Sequence, residues 1–229
     1  MNSLDTTAIL VFARSAKKDL AKKSIAKGEQ LFDALTQTTL KKAKNTGLPV
    51  FHFSDEDQVG ITFGERFTNA ISSVFDKGFA NIITIGNDTP HLKTQHLKHT
   101  AQQLAIGKTV IGPSIDGGFY LLGLQKVNFE VGEFQNLPWQ RFNLYHNISS
   151  RLQEESTELI KLPVLQDLDS EKDLQSILLF SRGLSSTILL LIIRLLKINK
   201  SLYDTNQHLF HLFPNSFLYN KGSPAVSFI

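Results

Sequence analysis

The sequence predicts an α/β fold, with a mixed, mainly parallel sheet and helices on both faces. Three observations carry this expectation. Short continuous apolar runs of the kind that form buried strands recur at 8–12 (AILVF), 81–85 (NIITI) and 119–124 (FYLLGL). Helical periodicity separates the first two: within 64–77, Phe67, Ala70, Ile71, Val74 and Phe75 fall at i, i+3, i+4, i+7 and i+8. Strands that alternate with helices are the pattern of βαβ units and a sheet covered on both sides.

The elements follow in order. After the strand at 8–12 comes a lysine-rich loop, and then a helix over about 24–43 with Ile25, Leu31, Leu35 and Leu40 on its apolar positions. The second strand is 49–54 (PVFHFS), ending at Asp55-Glu56-Asp57. The helix at 64–77 stops at Gly78, a residue suited to a helix end. The third strand is 81–85, followed by a helix at 94–104 and a fourth strand at 109–111. The strand at 119–124 arrives too soon for a helical crossover, which takes about a dozen residues, so it is expected to run antiparallel or displaced. A helix at 140–155, a strand at 158–162 and a helix at 170–180 complete the series, with Ser170 and Asp173 spaced as an N-cap pair.

The character changes near Gly183. Residues 188–196 read ILLLIIRLL, and an aromatic, turn-rich tail follows. A spanning helix needs roughly 20 apolar residues, and backward extension meets Ser181, Arg182, Gly183, Ser185 and Ser186. The expectation is therefore a buried or interface helix. Residues 1–182 form the main domain, and 183–229 an appendage packed on it or on a partner subunit in a homo-oligomer.

Composition excludes several classes. Apolar residues at 41% and charged residues at 20% describe an ordinary globular chain. A net charge of +3 makes no electrostatic case for a nucleic-acid partner. The absence of cysteine removes disulfides, thiolate metal sites and thiol nucleophiles. The first residues lack the pattern of a signal peptide, so a cytoplasmic location is expected. There is no G-x-G-x-x-G, Walker A or G-x-S-x-G pattern.

Three polar constellations fall where strands end, the place where open α/β sheets bind ligands. Gly86-Asn87-Asp88-Thr89-Pro90 follows the third strand, and a carboxylate there suits Mg²⁺ or Mn²⁺ bound to a diphosphate, or simply caps the next helix. Ser114-Ile115-Asp116-Gly117-Gly118 pairs a carboxylate with two glycines that let backbone approach a ligand, or makes an ordinary tight turn. Gln166-Asp167-Leu168-Asp169 puts two carboxylates on one side of an extended segment, or is a surface turn before the next helix. Asp55-Glu56-Asp57 is formally D-x-D, but its loop setting and the scattered histidines read as surface features.

Taken in order, VFARS (11–15), Lys22, GITFGERF (60–67), IGNDTPHL (85–92), GPSIDGGFYLLGL (112–124), LPW (137–139) and LPVLQDLDSEKDL (162–174) resemble the DUF2064 family. Its members are glycosyltransferases of the GT-A, nucleotide-diphospho-sugar transferase type, some named for arsenosugar biosynthesis or for association with radical-SAM genes. The resemblance covers about residues 8–180. It implies a three-layer Rossmann-like GT-A fold that binds a nucleotide sugar through the loop after the first strand, with Ala13, Arg14 and Lys22. It places the metal-diphosphate at Asp88, completed by Asp167 and Asp169, with Mg²⁺ or Mn²⁺ as cofactor. Asp116 would orient the acceptor or act as base, with Gly117, Gly118 and Trp139 lining the sugar and acceptor side.

The chain departs from the family where members carry K-T-R-L after the first strand. Lys22 is kept, while Ser24 stands at the position of an arginine whose planar, bidentate grip on phosphate serine cannot reproduce. Two other readings stay open at this level. One is a nucleotidyltransferase of related fold, though no glycine occurs between Phe12 and Lys27 to cradle a triphosphate. The other is a nucleotide-binding protein with weakened catalysis.

Overall fold

The computed structural model describes residues 6–23, 25–154 and 158–196. Ser24 and the aromatic tail at 197–229 lie outside the described residues, as do residues 155–157.

Among the described residues six strands form one sheet: β1 (Thr7–Phe12), β2 (Val50–Phe53), β3 (Asn81–Ile85), β4 (Thr109–Pro113), β5 (Phe119–Gln125) and β6 (Leu159–Lys161). The order across the sheet is β2-β1-β3-β5-β4-β6. β1 pairs in parallel with β2 and β3, and β4 with β6, while β5 runs antiparallel to both β3 and β4. The antiparallel placement of β5 follows from its short connection. Only the five residues 114–118 separate it from β4, and they reverse the chain instead of crossing the sheet.

β1 and β3 are buried along almost their whole length, as expected of strands covered on both faces. Alternation divides their side chains between two layers. Ala8, Leu10 and Ile82 pack on one face with Phe67, Ile71 and Val74 of α3 (Phe63–Phe75). The short helix α5 (Val131–Gln135) and α6 (Leu144–Glu154) add Phe134, Ile148 and Leu152 to that layer. Ile9, Val11, Ile83 and Ile85 pack on the other face with Leu97, Ala101 and Leu104 of α4 (Thr94–Ala105).

A third cluster joins α1 (Ala16–Lys22), α2 (Glu29–Lys44), α7 (Glu171–Leu179) and α8 (Ser186–Leu195). The apolar helix α8 buries Ile188, Ile192 and Ile193 there, against Leu31, Phe32 and Leu35 of α2. Its own chain covers that side of it, while Leu190 stays 62% exposed. Among the described residues, no helix is long and apolar enough to cross a membrane.

Local signals set the helix ends. Thr62 accepts from Glu65 N at 3.1 Å, and the Glu65 carboxylate accepts from Thr62 N at 3.1 Å, so the start of α3 is a reciprocal capping box. Ser170 and Asp173 make the same arrangement at α7. Two expectations are corrected. The lysine-rich stretch after β1 is the helix α1, because Ala16 and Asp19 lie on one buried side of it, with Leu20 packed alongside. The helix expected to begin near residue 24 begins at Glu29, after residue Lys27 at φ +61° and Gly28 as N-cap.

Candidate active site

A cleft of about 470 Å³ opens at the ends of β1, β3 and β4. Its lining includes every site residue expected from the sequence except Gly117: Ala13, Arg14 and Lys22; Asp88; Asp116 and Gly118; Trp139; Asp167 and Asp169. Gly117 occupies the same turn as its neighbours Asp116 and Gly118. Residues scattered over more than 150 positions of sequence thus line one concavity, in the place where such sheets bind ligands.

The floor is the loop after β3. A Cβ at Gly86 would lie 2.9 Å from Asp88 Oδ1, so a side chain there would push on that carboxylate. Asn87 is buried, and its amide donates to Thr36 Oγ1 of α2 at 2.9 Å and to Asp19 Oδ2 of α1 at 3.4 Å. This ties the Asp88 loop to both helices. Asp19 in turn lies 3.7 Å from Arg14 Nη1, and burial raises its pKa above the ordinary carboxylate range.

Lys23, at the C-terminal end of α1, reaches under this loop. Its ammonium donates to Asp88 Oδ2 at 2.8 Å and to the Leu168 carbonyl at 2.8 Å, and lies 3.0 Å from Asp169 Oδ1. Its side chain is only 7% exposed. Burial works against the charged ammonium, but Asp88 and Asp169 outweigh it and raise the Lys23 pKa. Burial likewise works against the Asp88 carboxylate, but the adjacent ammonium holds it below the ordinary range.

Asp167 sits differently. Its Oδ1 accepts from Thr89 Oγ1 at 2.5 Å. Burial, reinforced by the charges of Asp88 and Asp116, pushes its pKa up to about 8. Asp167 and Asp169 therefore do not act as a matched pair. One is a carboxyl group that holds its proton at neutral pH, and the other is a carboxylate on a lysine.

The opposite wall is the β4–β5 turn. Ser114 N donates to Gly118 O at 3.1 Å, closing it. Asp116 is exposed, and its Oδ1 accepts from Ser114 Oγ at 2.6 Å and from Gly118 N at 3.0 Å. Gly117 has φ +87°, and a Cβ there would overlap the Phe142 carbonyl. Both facts demand glycine. The Gly117 carbonyl accepts from Tyr145 N at 2.9 Å, fastening the turn to α6.

Trp139 stands at the mouth. Its indole N–H donates to the Phe134 carbonyl at 2.7 Å, and its ring packs 5.3 Å from Phe63 and 5.1 Å from Phe67. It is at once a wall of the cleft and an anchor of the aromatic layer. Asp55-Glu56-Asp57 is structural: Asp55 accepts from Ser15 N at 2.5 Å and pairs with Lys18 at 3.1 Å, and Asp57 accepts from Ser54.

The Mg²⁺ or Mn²⁺ expected at Asp88, Asp167 and Asp169 can be tested against this geometry. Divalent cations of this kind need several oxygen ligands converging at 2.0–2.6 Å. Here the ammonium of Lys23 already lies between Asp88 and Asp169, and Asp167 is engaged by Thr89. Among the described residues no group of three acidic or histidine side chains is disposed to hold a metal ion. The three aspartates as arranged do not fit the ion.

Asp19 is the residue of the site with no place in the sequence expectations; Lys23 counts there only as one of the lysines beside Lys22 that could supply charge, and Asn87 and Thr89 only as members of the Asp88 segment. One signal was present: Ala16, Asp19, Leu20 and Lys23 fall at i, i+3, i+4 and i+7, which places Lys23 on the buried side of a helix.

Comparison with known proteins gives the setting. A solved structure of a candidate nucleotide-diphospho-sugar transferase from Desulfovibrio desulfuricans G20 matches with a TM-score of 0.73 at 23% identity, covering 86% of this chain and 96% of that one. The fold is therefore that of nucleotide-diphospho-sugar transferases. Rv0371c from Mycobacterium tuberculosis H37Rv matches with a TM-score of 0.46 at 12% identity, covering 75% of this chain and 97% of its own. A cytidylyltransferase from Leptospira borgpetersenii serovar Hardjo-bovis matches at 0.40 and 14%, covering 86% and 94%. Similarity that low says nothing of this chain's chemistry. No curated protein matches the chain. A family model described as an uncharacterized protein conserved in bacteria (DUF2064) matches residues 13–141. That span takes in the loop after β1, the Asp88 loop, the Asp116 turn and Trp139, and covers more than half of the chain, so the protein belongs to the DUF2064 family.

Proposed function

We propose that the protein transfers a sugar from a nucleoside-diphosphate sugar to an acceptor hydroxyl within this cleft. The observation that supports the reading is the meeting of Arg14 and Lys22 with the exposed carboxylate of Asp116 in one concavity at the strand ends. Arg14 and Lys22 supply positive charge for a diphosphate beside the backbone of Ala13. Gly118 lines the other wall, where a sugar would lie, and Trp139 offers it an apolar face.

Both hydrogen bonds that orient Asp116 go to Oδ1. Its Oδ2 is then the atom to accept the acceptor's proton as the new bond to the anomeric carbon forms. The bond from that carbon to the diphosphate breaks, and the nucleoside diphosphate leaves with the electron pair. Its negative charge develops beside Arg14 and Lys22. In this reading residues 1–182 carry the transfer and 183–229 are an appendage.

Thermal-shift titration tests the reading with UDP-, GDP-, CDP- and TDP-sugars and with nucleoside triphosphates, each with Mn²⁺ and with EDTA. Stabilisation by one diphospho-sugar beyond that of any triphosphate is the expected result. A preference for triphosphate would favour nucleotidyl transfer instead, and silence toward every ligand would sink both enzymatic readings.

A further inference from the structure

We propose that the buried ammonium of Lys23 is a built-in counter-cation that occupies the place of a divalent metal, so that the cleft binds its diphosphate ligand without one. The geometry is specific. The ammonium donates to Asp88 Oδ2 at 2.8 Å and to Leu168 O at 2.8 Å, and makes an ion pair with Asp169 Oδ1 at 3.0 Å. The charge lies 5.9 Å from the centre of the Phe32 ring, which screens it from the α2 side.

The arrangement is held from several directions. The backbone N–H of Lys23 donates to the Asp19 carbonyl at 2.8 Å, ending α1 at the right depth. Leu168 N donates to the Asp88 carbonyl at 2.9 Å, which holds the 166–169 segment against the Asp88 loop. Both carboxylates are therefore fixed around the lysine by backbone bonds, beyond what the ion pairs themselves supply. A divalent cation bound to Asp88 and Asp169 would meet a positive charge within bonding distance of both ligands. Their mutual repulsion at that separation opposes joint occupancy.

Charge balance agrees. Asp88 and Asp169 carry two negative charges, and a diphosphate entering beside them would be repelled were they bare. Lys23 removes one of those charges. Arg14 and Lys22 place two further positive charges along the same lining, where a diphosphate would lie.

The decisive measurement is titration of the protein with Mn²⁺ alone, read by electron paramagnetic resonance of the free ion. The wild type is expected to bind Mn²⁺ only weakly, and Lys23→Met to bind at least about tenfold more tightly, because two bare carboxylates then face a vacated space. Tight binding by the wild type that Asp88→Asn abolishes would overturn the proposal. That titration needs only wild-type protein and Asp88→Asn, so it decides even if Lys23→Met fails to fold. The second arm titrates UDP and GDP with Mg²⁺ and with EDTA. Equal affinity in both, within about twofold, supports the proposal, and loss of binding in EDTA overturns it. This arm rests on the nucleotide reading above. Failure of both nucleotides to bind in any buffer would count against that reading, while the Mn²⁺ titration would still judge Lys23.

Discussion

Asp167 and Thr89, 78 residues apart in the chain, meet in a 2.5 Å hydrogen bond in which the hydroxyl donates to Oδ1. That contact holds the segment before α7 against the loop after β3. It also places a carboxyl group where burial and neighbouring aspartates keep its proton on to about pH 8.

A pH dependence follows from that carboxyl. In the unfolded chain Asp167 loses its proton near 4, while the folded protein retains it to about 8. Between those values the folded state binds more protons than the unfolded one, so stability contributed by this group falls as pH rises and levels off above about 8. Asp167→Asn keeps an acceptor for Thr89 and removes the titration. The variant is expected to melt above the wild type at pH 8, with the gap closing toward pH 4, where both states hold the proton. Melting curves from pH 4 to 9 check this, and parallel curves for the two proteins would contradict it.

Gly117→Ala should be among the most damaging small substitutions in the molecule. The position combines φ +87° with a carbonyl where the new methyl would go. A loss of about 2 kcal/mol or more is expected from strain and displacement of the Phe142 segment together. Urea unfolding measures it, and a change below about 0.5 kcal/mol would show that the turn relaxes freely.

Trp139 is the chain's one tryptophan and lines the cleft, so its fluorescence reports the site directly. A bound nucleotide sugar is expected to change its emission, and Trp139→Phe to remove that signal. Trp139→Ala should also cost about 3 kcal/mol, from lost packing on Phe63 and Phe67 and the orphaned Phe134 carbonyl. Ligand titration and chemical denaturation read the two effects separately.

Asp116→Asn separates transfer from binding. The amide still accepts from Ser114 and Gly118 but is a far weaker base. Turnover is expected to fall by about 10²-fold or more with ligand affinity little changed. Equal turnover in variant and wild type would remove Asp116 from the chemistry.

Much of this was legible along the chain. The run NIITI is β3 to the residue, because a strand buried on both faces leaves an uninterrupted apolar signature. The short gap before FYLLGL required an antiparallel strand, and β5 is one. The acidic and glycine-rich turns were legible as turns at strand ends, and their places in the sheet bring them to one cleft. The helix α1 was missed because its three lysines and one aspartate mask a buried side of only a few residues.

The sequence by itself determined the alternation of strands and helices, the capping pair Ser170–Asp173 and which loops face the same edge of the sheet. These features rest on interactions between residues a few positions apart, so the local pattern contains them. Only the tertiary structure decided that Asp88 and Asp169 share an ammonium, and that Asp167 is a proton-holding acid in a segment where Asp169 is ion-paired. The partners of Lys23 lie 65 and 145 residues away. Which charge such a side chain meets, and how far burial shifts a carboxyl, depends on distances and desolvation that arise only once the layers have packed.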